Sequence, residues 1–409
     1  MRGNGLVLRS RTGEWSPITR KVFSASKLET HGPLLYMLKQ TRRFNLSPTT
    51  LNGYDYDYKF TMTISSTETA EKHNWVCGGS YSNIHHVAPS IVVKIVRPDV
   101  KAQEPEHPFL KEIAFFKRMN ESQNECSSII ECFLVFPDHI FLSFCPNRTV
   151  GHRLHPRQER EPGVNGFPGR VSRVKEYEDP ALIARWLRQL SSALEYIEKL
   201  GFCHNDIHEF NCLLDKDFNL KLADFGRATT IGQFLEDVMP PRARIIVRGP
   251  LKDTYGLCSA RTEQFALGSL LFFMVYGHEP YEDTERELSR SEYDRRFGEM
   301  EFPELNRHEV FDGLISACWH NVYPTMALAA YDFKRKTKDI AGSIVEYETI
   351  DRAREIKNCE VLIQKGLLGP EIASRYQPFW WKYLLAAKGM LFWKVLIDLP
   401  RRIRLWVSS

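Results

Sequence analysis

The stretch from Cys203 to Ala228, CHNDIHEFNCLLDKDFNLKLADFGRA, constrains this chain more than any other. It places two carboxylates, Asp206 and Asp224, on either side of one carboxamide, Asn211, with apolar strand-like runs framing all three. This pattern predicts a phosphate-handling hairpin. One Asp meets a hydroxyl, and Asn and the second Asp hold a hard cation through oxygen.

The flanks support a folded context. Asp179-Pro180 is a helix start, with Asp as N-cap and Pro in the first turn. Leu182, Trp186, Leu190, Ala193, Leu194, Ile197 and Leu200 keep one helical face apolar, and Gly201 closes the helix. Downstream, Thr262 to Tyr276 reads as a helix buried on all sides, ended by Gly277. Further helical patterns lie at Val310 to Trp319 and Thr349 to Lys365.

Upstream, Trp75 to Val96 predicts strands, with Pro89-Ser90 as the turn between two of them. Gly78 and Gly79 permit close approaches that side chains would block. The apolar run Ile91 to Val96 is broken only by Lys94, and a lysine buried there needs an anionic partner. Pro108 to Met119 predicts a helix with Phe109, Ile113 and Phe116 on its apolar face and Glu112 beside it. In isolation, a solvated Glu112 and an outward Lys94 are the simpler readings. Ile129 to Phe136 and His139 to Phe144, split by Pro137-Asp138, predict an antiparallel hairpin. Gly151 to Glu178, rich in Pro, Gly, Arg and Glu, reads as a surface insertion or linker.

Composition narrows the classes. A net charge of +4 from balanced acids and bases gives no reason to propose nucleic acid as the main partner. Nine scattered cysteines without a C-x-x-C pair suggest a reducing interior. With no secretory apolar segment and no run long enough to span a bilayer, the expected location is intracellular, cytoplasmic or nuclear. Met1 to Lys27 is Arg-rich like a mitochondrial presequence, but Pro17, Gly3, Gly5 and Gly13 spoil a helix there. Near the other end, Gln377 to Trp406 holds Trp380, Trp381, Trp393 and Trp406, half of the chain's eight tryptophans. That segment suits either a helix in a membrane interface or docking on the globular body or another chain.

Taken in order, the Gly pair, Lys94, Glu112, Asp206 to Asn211 and Asp224-Phe225-Gly226 resemble the signatures of the protein kinase-like superfamily. The resemblance covers about Trp75 to Pro324. More narrowly, the chain resembles the compact, divergent protein kinases of filamentous fungi, largely through RTEQFALGSLLFFMVYGHEPYED. The resemblance implies an α+β fold of two lobes with ATP in the cleft between them. The small lobe, 73–145, has an antiparallel sheet and one helix, and the larger helical lobe spans 146–330. A basic arm, 1–72, and a helical Trp-rich extension, 331–409, flank these.

By the same resemblance, Asp206 accepts the proton of a protein substrate's hydroxyl, and Asn211 and Asp224 hold Mg²⁺. Lys94 contacts the phosphates and pairs with Glu112. Gly78, Gly79, Ile84, Ser143, Cys145 and Leu213 join Lys94, Glu112 and Asp224 around the nucleotide, with Leu142 as gatekeeper. The expected activity is ATP- and Mg-dependent transfer to a protein, Ser/Thr rather than Tyr.

Departures leave two alternatives. Cys77 and Ser82 replace loop glycines, Asn205 replaces the usual Arg, His208 stands for the usual Lys, and no APE follows Gly226. These fit a pseudokinase acting as a nucleotide-binding or scaffold module. HNDIHEFN also resembles the loop of aminoglycoside and choline kinases. Glu263 stands where the buried helix usually has Asp, and is long enough to anchor the catalytic-loop backbone.

Overall fold

The computed structural model describes residues 74–369, apart from 80, 102–105, 123, 164–168, 237, 285–287 and 342–349. The arm expected at 1–72 and the Trp-rich segment at 377–406 lie outside the described residues.

Five strands form one antiparallel sheet in the order β1-β2-β3-β5-β4. They are β1 (Asn74–Gly78), β2 (Ser82–Ala88), β3 (Ile91–Val96), β4 (Cys132–Val135) and β5 (His139–Ser143). Pro89-Ser90 make the β2–β3 turn, as their sequence predicts. In β3 all residues but Ile95 are buried. Its apolar run, broken only by Lys94 and without polar alternation, follows from cover on both faces.

One face of the sheet looks toward α1 (Leu110–Glu121) and the large lobe, through Val92, Val96, Ile140 and Leu142. Helix α1 is rotated relative to the stripe read from sequence. Phe115, Phe116 and Glu112 are buried, whereas Ile113 is only partly so.

The large lobe begins with α2 (Val150–Leu154) and the hairpin β6 (Gln158–Arg160) and β7 (Val171–Val174). The span Gly151–Glu178 is therefore partly built into the body: Gln158 Nε2 donates to Gly277 O at 2.6 Å, and Arg153 pairs with Glu178. Next comes α3 (Pro180–Lys199), capped by Asp179 accepting from Ala181 N at 2.9 Å. Gly201, at φ +86°, turns the chain into β8 (Phe202–Cys203). The short strands β9 (Cys212–Leu214), β10 (Leu220–Leu222) and β11 (Thr229–Thr230) follow; β9 pairs with β10, and β11 with β8.

Helix α4 (Ala260–Tyr276) is buried along nearly its whole length, as its composition predicts. A Cβ at its Gly268 would stand 2.7 Å from Cys318 Cβ, so glycine permits the close approach of the helix that carries Cys318. Around it stand α5 (Arg290–Gly298), α6 (Glu309–Trp319) and α7 (Met326–Lys336). The boundary expected at residue 330 falls inside α7, which packs on α3.

The last described helix, α8 (Arg352–Gln364), returns to the small lobe. Its Cys359 and Ile363, with Leu367, close a dry cluster over Val87, Ile91, Val93, Phe133 and Phe141 on the outer sheet face. Polar contacts fix its register. Ser90 Oγ donates to Glu355 Oε2 at 2.8 Å, and Arg352 reaches Asn120 at the end of α1 at 2.8 Å.

Candidate active site

Residues from four separate elements meet between the lobes. Lys94, on β3, is 6% exposed and lies opposite Ile84 of β2 and Ile140 of β5. Its Nζ is 2.7 Å from Glu112 Oε2 and 2.9 Å from Asp224 Oδ1. The buried lysine thus has the anionic partners its position demands, and neither outward Lys94 nor solvated Glu112 holds. Burial works against the Lys94 charge, but Asp224 and Glu112 outweigh it and hold the ammonium above the ordinary lysine range. Burial pushes the Glu112 carboxyl up, and Lys94 reverses only part of that.

Asp224 has a left-handed backbone, φ 64°, that turns its half-exposed side chain toward Lys94. Desolvation between the lobes pushes its carboxyl up, yet Lys94 pulls it below the usual carboxylate range. The next residue, Phe225, is fully buried. Its ring stacks on Phe115 of α1 at 3.9 Å between centroids and meets Phe116 edge-on at 5.5 Å. This aromatic seat holds α1, and with it Glu112, against the Asp224 turn.

Asp206 sits on the loop between β8 and β9. Asn211 Nδ2 donates to Asp206 O at 2.9 Å and to Asp206 Oδ2 at 3.2 Å. Arg227 Nε and His208 Nε2 each stand 3.7 Å from the same Oδ2. The loop is braced from inside the fold. His204, wholly buried, accepts at Nδ1 from Asp206 N at 3.2 Å and donates from Nε2 to Ala223 O at 3.1 Å. Burial lowers its proton affinity, consistent with this neutral tautomer.

From α4, Glu263 accepts from His204 N at 2.7 Å and Asn205 N at 3.0 Å, the brace its sequence position suggests. Burial pushes the Glu263 carboxyl up to about 7.

The residues expected around a nucleotide are unevenly disposed. Gly78 ends β1, and Gly79 N donates to Ser82 O at 2.7 Å in the turn. A Cβ at Gly79 would meet only ordinary contacts, the nearest 3.7 Å away, so the fold itself does not demand glycine there. Ile84 and Leu213 are half-buried. Ser143 N donates to Glu131 O at 2.9 Å and Ser143 Oγ accepts from Glu131 N at 3.3 Å, so both groups serve the β4 end of the sheet. Cys145 N has no hydrogen-bond partner among the described residues, and burial pushes its thiol up to about 12.

The chain matches the family model described as the protein kinase domain over residues 77–356. It belongs to the protein kinase family. Among curated relatives, the chain is 27% identical to the tyrosine-protein kinase transforming protein Abl of Abelson murine leukemia virus. That match spans 266 residues, 63% of this chain and 32% of the relative. It is 29% identical over 188 residues to mouse testis-specific serine/threonine-protein kinase 2, covering 39% of this chain and 50% of that protein. Human Citron Rho-interacting kinase matches at 27% over 140 residues, 32% of this chain and 7% of the relative. The chain thus spans half or less of the length of these relatives.

Motif spacing does not reveal Phe115, Glu209 or Arg242, which the fold brings to this region. Phe115 was hidden because a stripe drawn through Phe109, Ile113 and Phe116 leaves it off the face. Glu209 and Arg242 meet at 2.8 Å across 33 residues with no recurring pattern between them.

Proposed function

We propose that this kinase transfers the γ-phosphate of ATP, with Mg²⁺, to a protein hydroxyl, Ser/Thr in preference to Tyr. The observation that carries the reading is the Lys94 bridge, 2.7 Å to Glu112 and 2.9 Å to Asp224. It joins strand, helix and loop into one charged cleft in which phosphate oxygens would be held in place. The surrounding residues fit the group. Gly79 leaves room for close approach, and Cys145 N is a spare donor toward adenine. Asn211 spends its amide nitrogen on Asp206, which leaves its oxygen, with the Asp224 carboxylate, as the groups that would hold a cation. When bound, Mg²⁺ neutralises the phosphate charge that develops during transfer.

The chain's own residues do the rest. Asp206, held by Asn211 and backed by Arg227 and His208, orients the acceptor hydroxyl and takes its proton. Lys94, paired with Glu112, would contact the α- and β-phosphates and so fix the nucleotide in the cleft. Gly78, Ile84 and Leu213 would line the nucleotide, whereas Ser143 contributes through the strand rather than its own side chain. No described helix is long and apolar enough to cross a membrane, and all nine cysteines are free thiols, which supports an intracellular location.

The test is radiolabelled-ATP transfer by the wild-type chain, Lys94→Met and Asp206→Asn, with generic protein acceptors alongside. Activity in the wild type alone is expected. Full activity in purified Asp206→Asn defeats the assignment, and nucleotide binding without turnover in the wild type favours the scaffold reading that Cys77 and Ser82 suggest.

A further inference from the structure

The segment between β11 and α4 carries no APE and little regular structure. Much of its backbone pairing is internal. Leu235 N donates to Gly256 O at 2.8 Å, Cys258 N to Gln233 O at 2.8 Å, and Ile246 N to Thr254 O at 2.9 Å. Such bonds give the segment a shape but do not set its distance from Asp206. Two polar contacts at Pro241-Arg242 do, beside the packing of Leu235, Ala243 and Cys258 on Cys203. The Pro241 carbonyl accepts from Ser269 Oγ of α4, which itself accepts from Trp319 Nε1 of α6 at 3.0 Å. Arg242 Nη2 donates to Glu209 Oε2 at 2.8 Å and to Glu279 Oε1 at 2.5 Å.

Glu209 is a fixed post. It lies three residues beyond Asp206 on the catalytic loop and is 4% exposed. Its carbonyl accepts from Gly151 N at 3.0 Å, and its second carboxylate oxygen meets His155 Nε2 at 3.4 Å. Glu279 follows α4 and is tied at its N–H to Glu282 Oε2 at 2.9 Å. One guanidinium therefore joins three parts of the chain: the segment, the catalytic loop and the turn after α4. Without it, two carboxylates would face each other at the same place.

We propose that the segment between β11 and α4, the part that the kinase resemblance assigns to the protein acceptor, is latched onto the catalytic loop by Arg242 as a positioning residue, so that use of the protein acceptor depends on it and use of the nucleotide does not. This rests on the kinase reading above. The latch is a fixed ion pair within the chain, so it needs no added phosphate to engage.

The experiment uses the full-length chain as wild type, Arg242→Ala and Arg242→Lys. Transfer to dephosphorylated casein is measured with casein and ATP varied separately, beside thermal unfolding. Arg242→Ala is expected to raise the KM for casein by about tenfold or more, with the KM for ATP within about twofold of wild type. Arg242→Lys recovers part of the loss, because it keeps the charge but places it on a shorter side chain without the planar guanidinium. Equal losses toward both substrates that track the fall in Tm make Arg242 merely structural and overturn the proposal. Trypsin cleavage after Arg244, Arg248 and Lys252 should also quicken in Arg242→Ala; unchanged cleavage overturns the latch. A wild type that phosphorylates neither casein nor itself defeats the kinase reading, and the proteolysis still decides the latch.

Discussion

The two faces of the small-lobe sheet are held by opposite means. The inner face buries charge among its hydrocarbon: Lys94, flanked by Val92 and Val96, pairs with Glu112 and Asp224, and Phe115 and Phe225 form the aromatic seat that holds the helix there. The outer face buries hydrocarbon, with Cys359, Ile363 and Leu367 against Val87, Ile91, Val93, Phe133 and Phe141. A dry cluster stabilises in proportion to the apolar area it removes from water. A buried ion pair gains little over apolar side chains of the same shape, yet breaking it is costly. The inner face is therefore arranged for chemistry at some expense of stability, and the outer face supplies stability without chemistry.

Substitutions on the two faces should separate these contributions. The largest effect is expected from Lys94→Met. Transfer should fall by about 10²–10³-fold or more, because a positioned cation is lost. Stability should fall too, by about 3–5 kcal/mol, because Glu112 is left buried without its partner. Urea unfolding beside the activity assay checks both, and an unaltered midpoint would mean that Glu112 relaxes to water. On the outer face, Ile363→Ala should cost about 2–5 kcal/mol with the KM for ATP unchanged. A large shift in that KM would show that the faces are coupled.

The third test concerns Glu263. Its folded carboxyl binds a proton up to about pH 7, against 4.5 ordinarily, so its share of stability is complete below about 4.5 and lost as pH rises to about 7. The stability of wild type minus that of Glu263→Gln should therefore decline across that window in urea melts, and a flat difference contradicts the burial argument. The smallest effect belongs to Ser90→Ala, about 1 kcal/mol or less, read by the same melts.

Much of this was legible in the sequence because local chemistry settled it. Asp179, Pro180 and Gly201 mark the ends of α3. Pro89-Ser90 and Pro137-Asp138 mark two hairpins. Lys94 was conspicuous as one charge in an apolar strand. Helices α5 and α7 were missed because each buries only a few side chains, such as Tyr293 and Phe297 in α5 and Met326, Ala329 and Phe333 in α7. The Thr325 cap of α7 was readable, but without a wide apolar stripe it did not stand out. The role of α8 was not legible at all. Periodicity reports a buried face but not which lobe buries it. The Arg242 contacts were hidden for a related reason, since pairing between distant charges leaves no trace in spacing.

The return of α8 also bears on how the chain assembles. Ser90 and Glu355 are 265 positions apart, so the outer face of the sheet lacks its cover until almost the whole kinase domain has been made. During synthesis, Ile91, Val93 and Phe141 would face water or a chaperone while the large lobe folds. Closing so long a loop adds little to its entropic cost, which grows only with the logarithm of length, but contacts this distant slow the search for the native state. The small lobe, first off the ribosome, is in this protein the last to be finished.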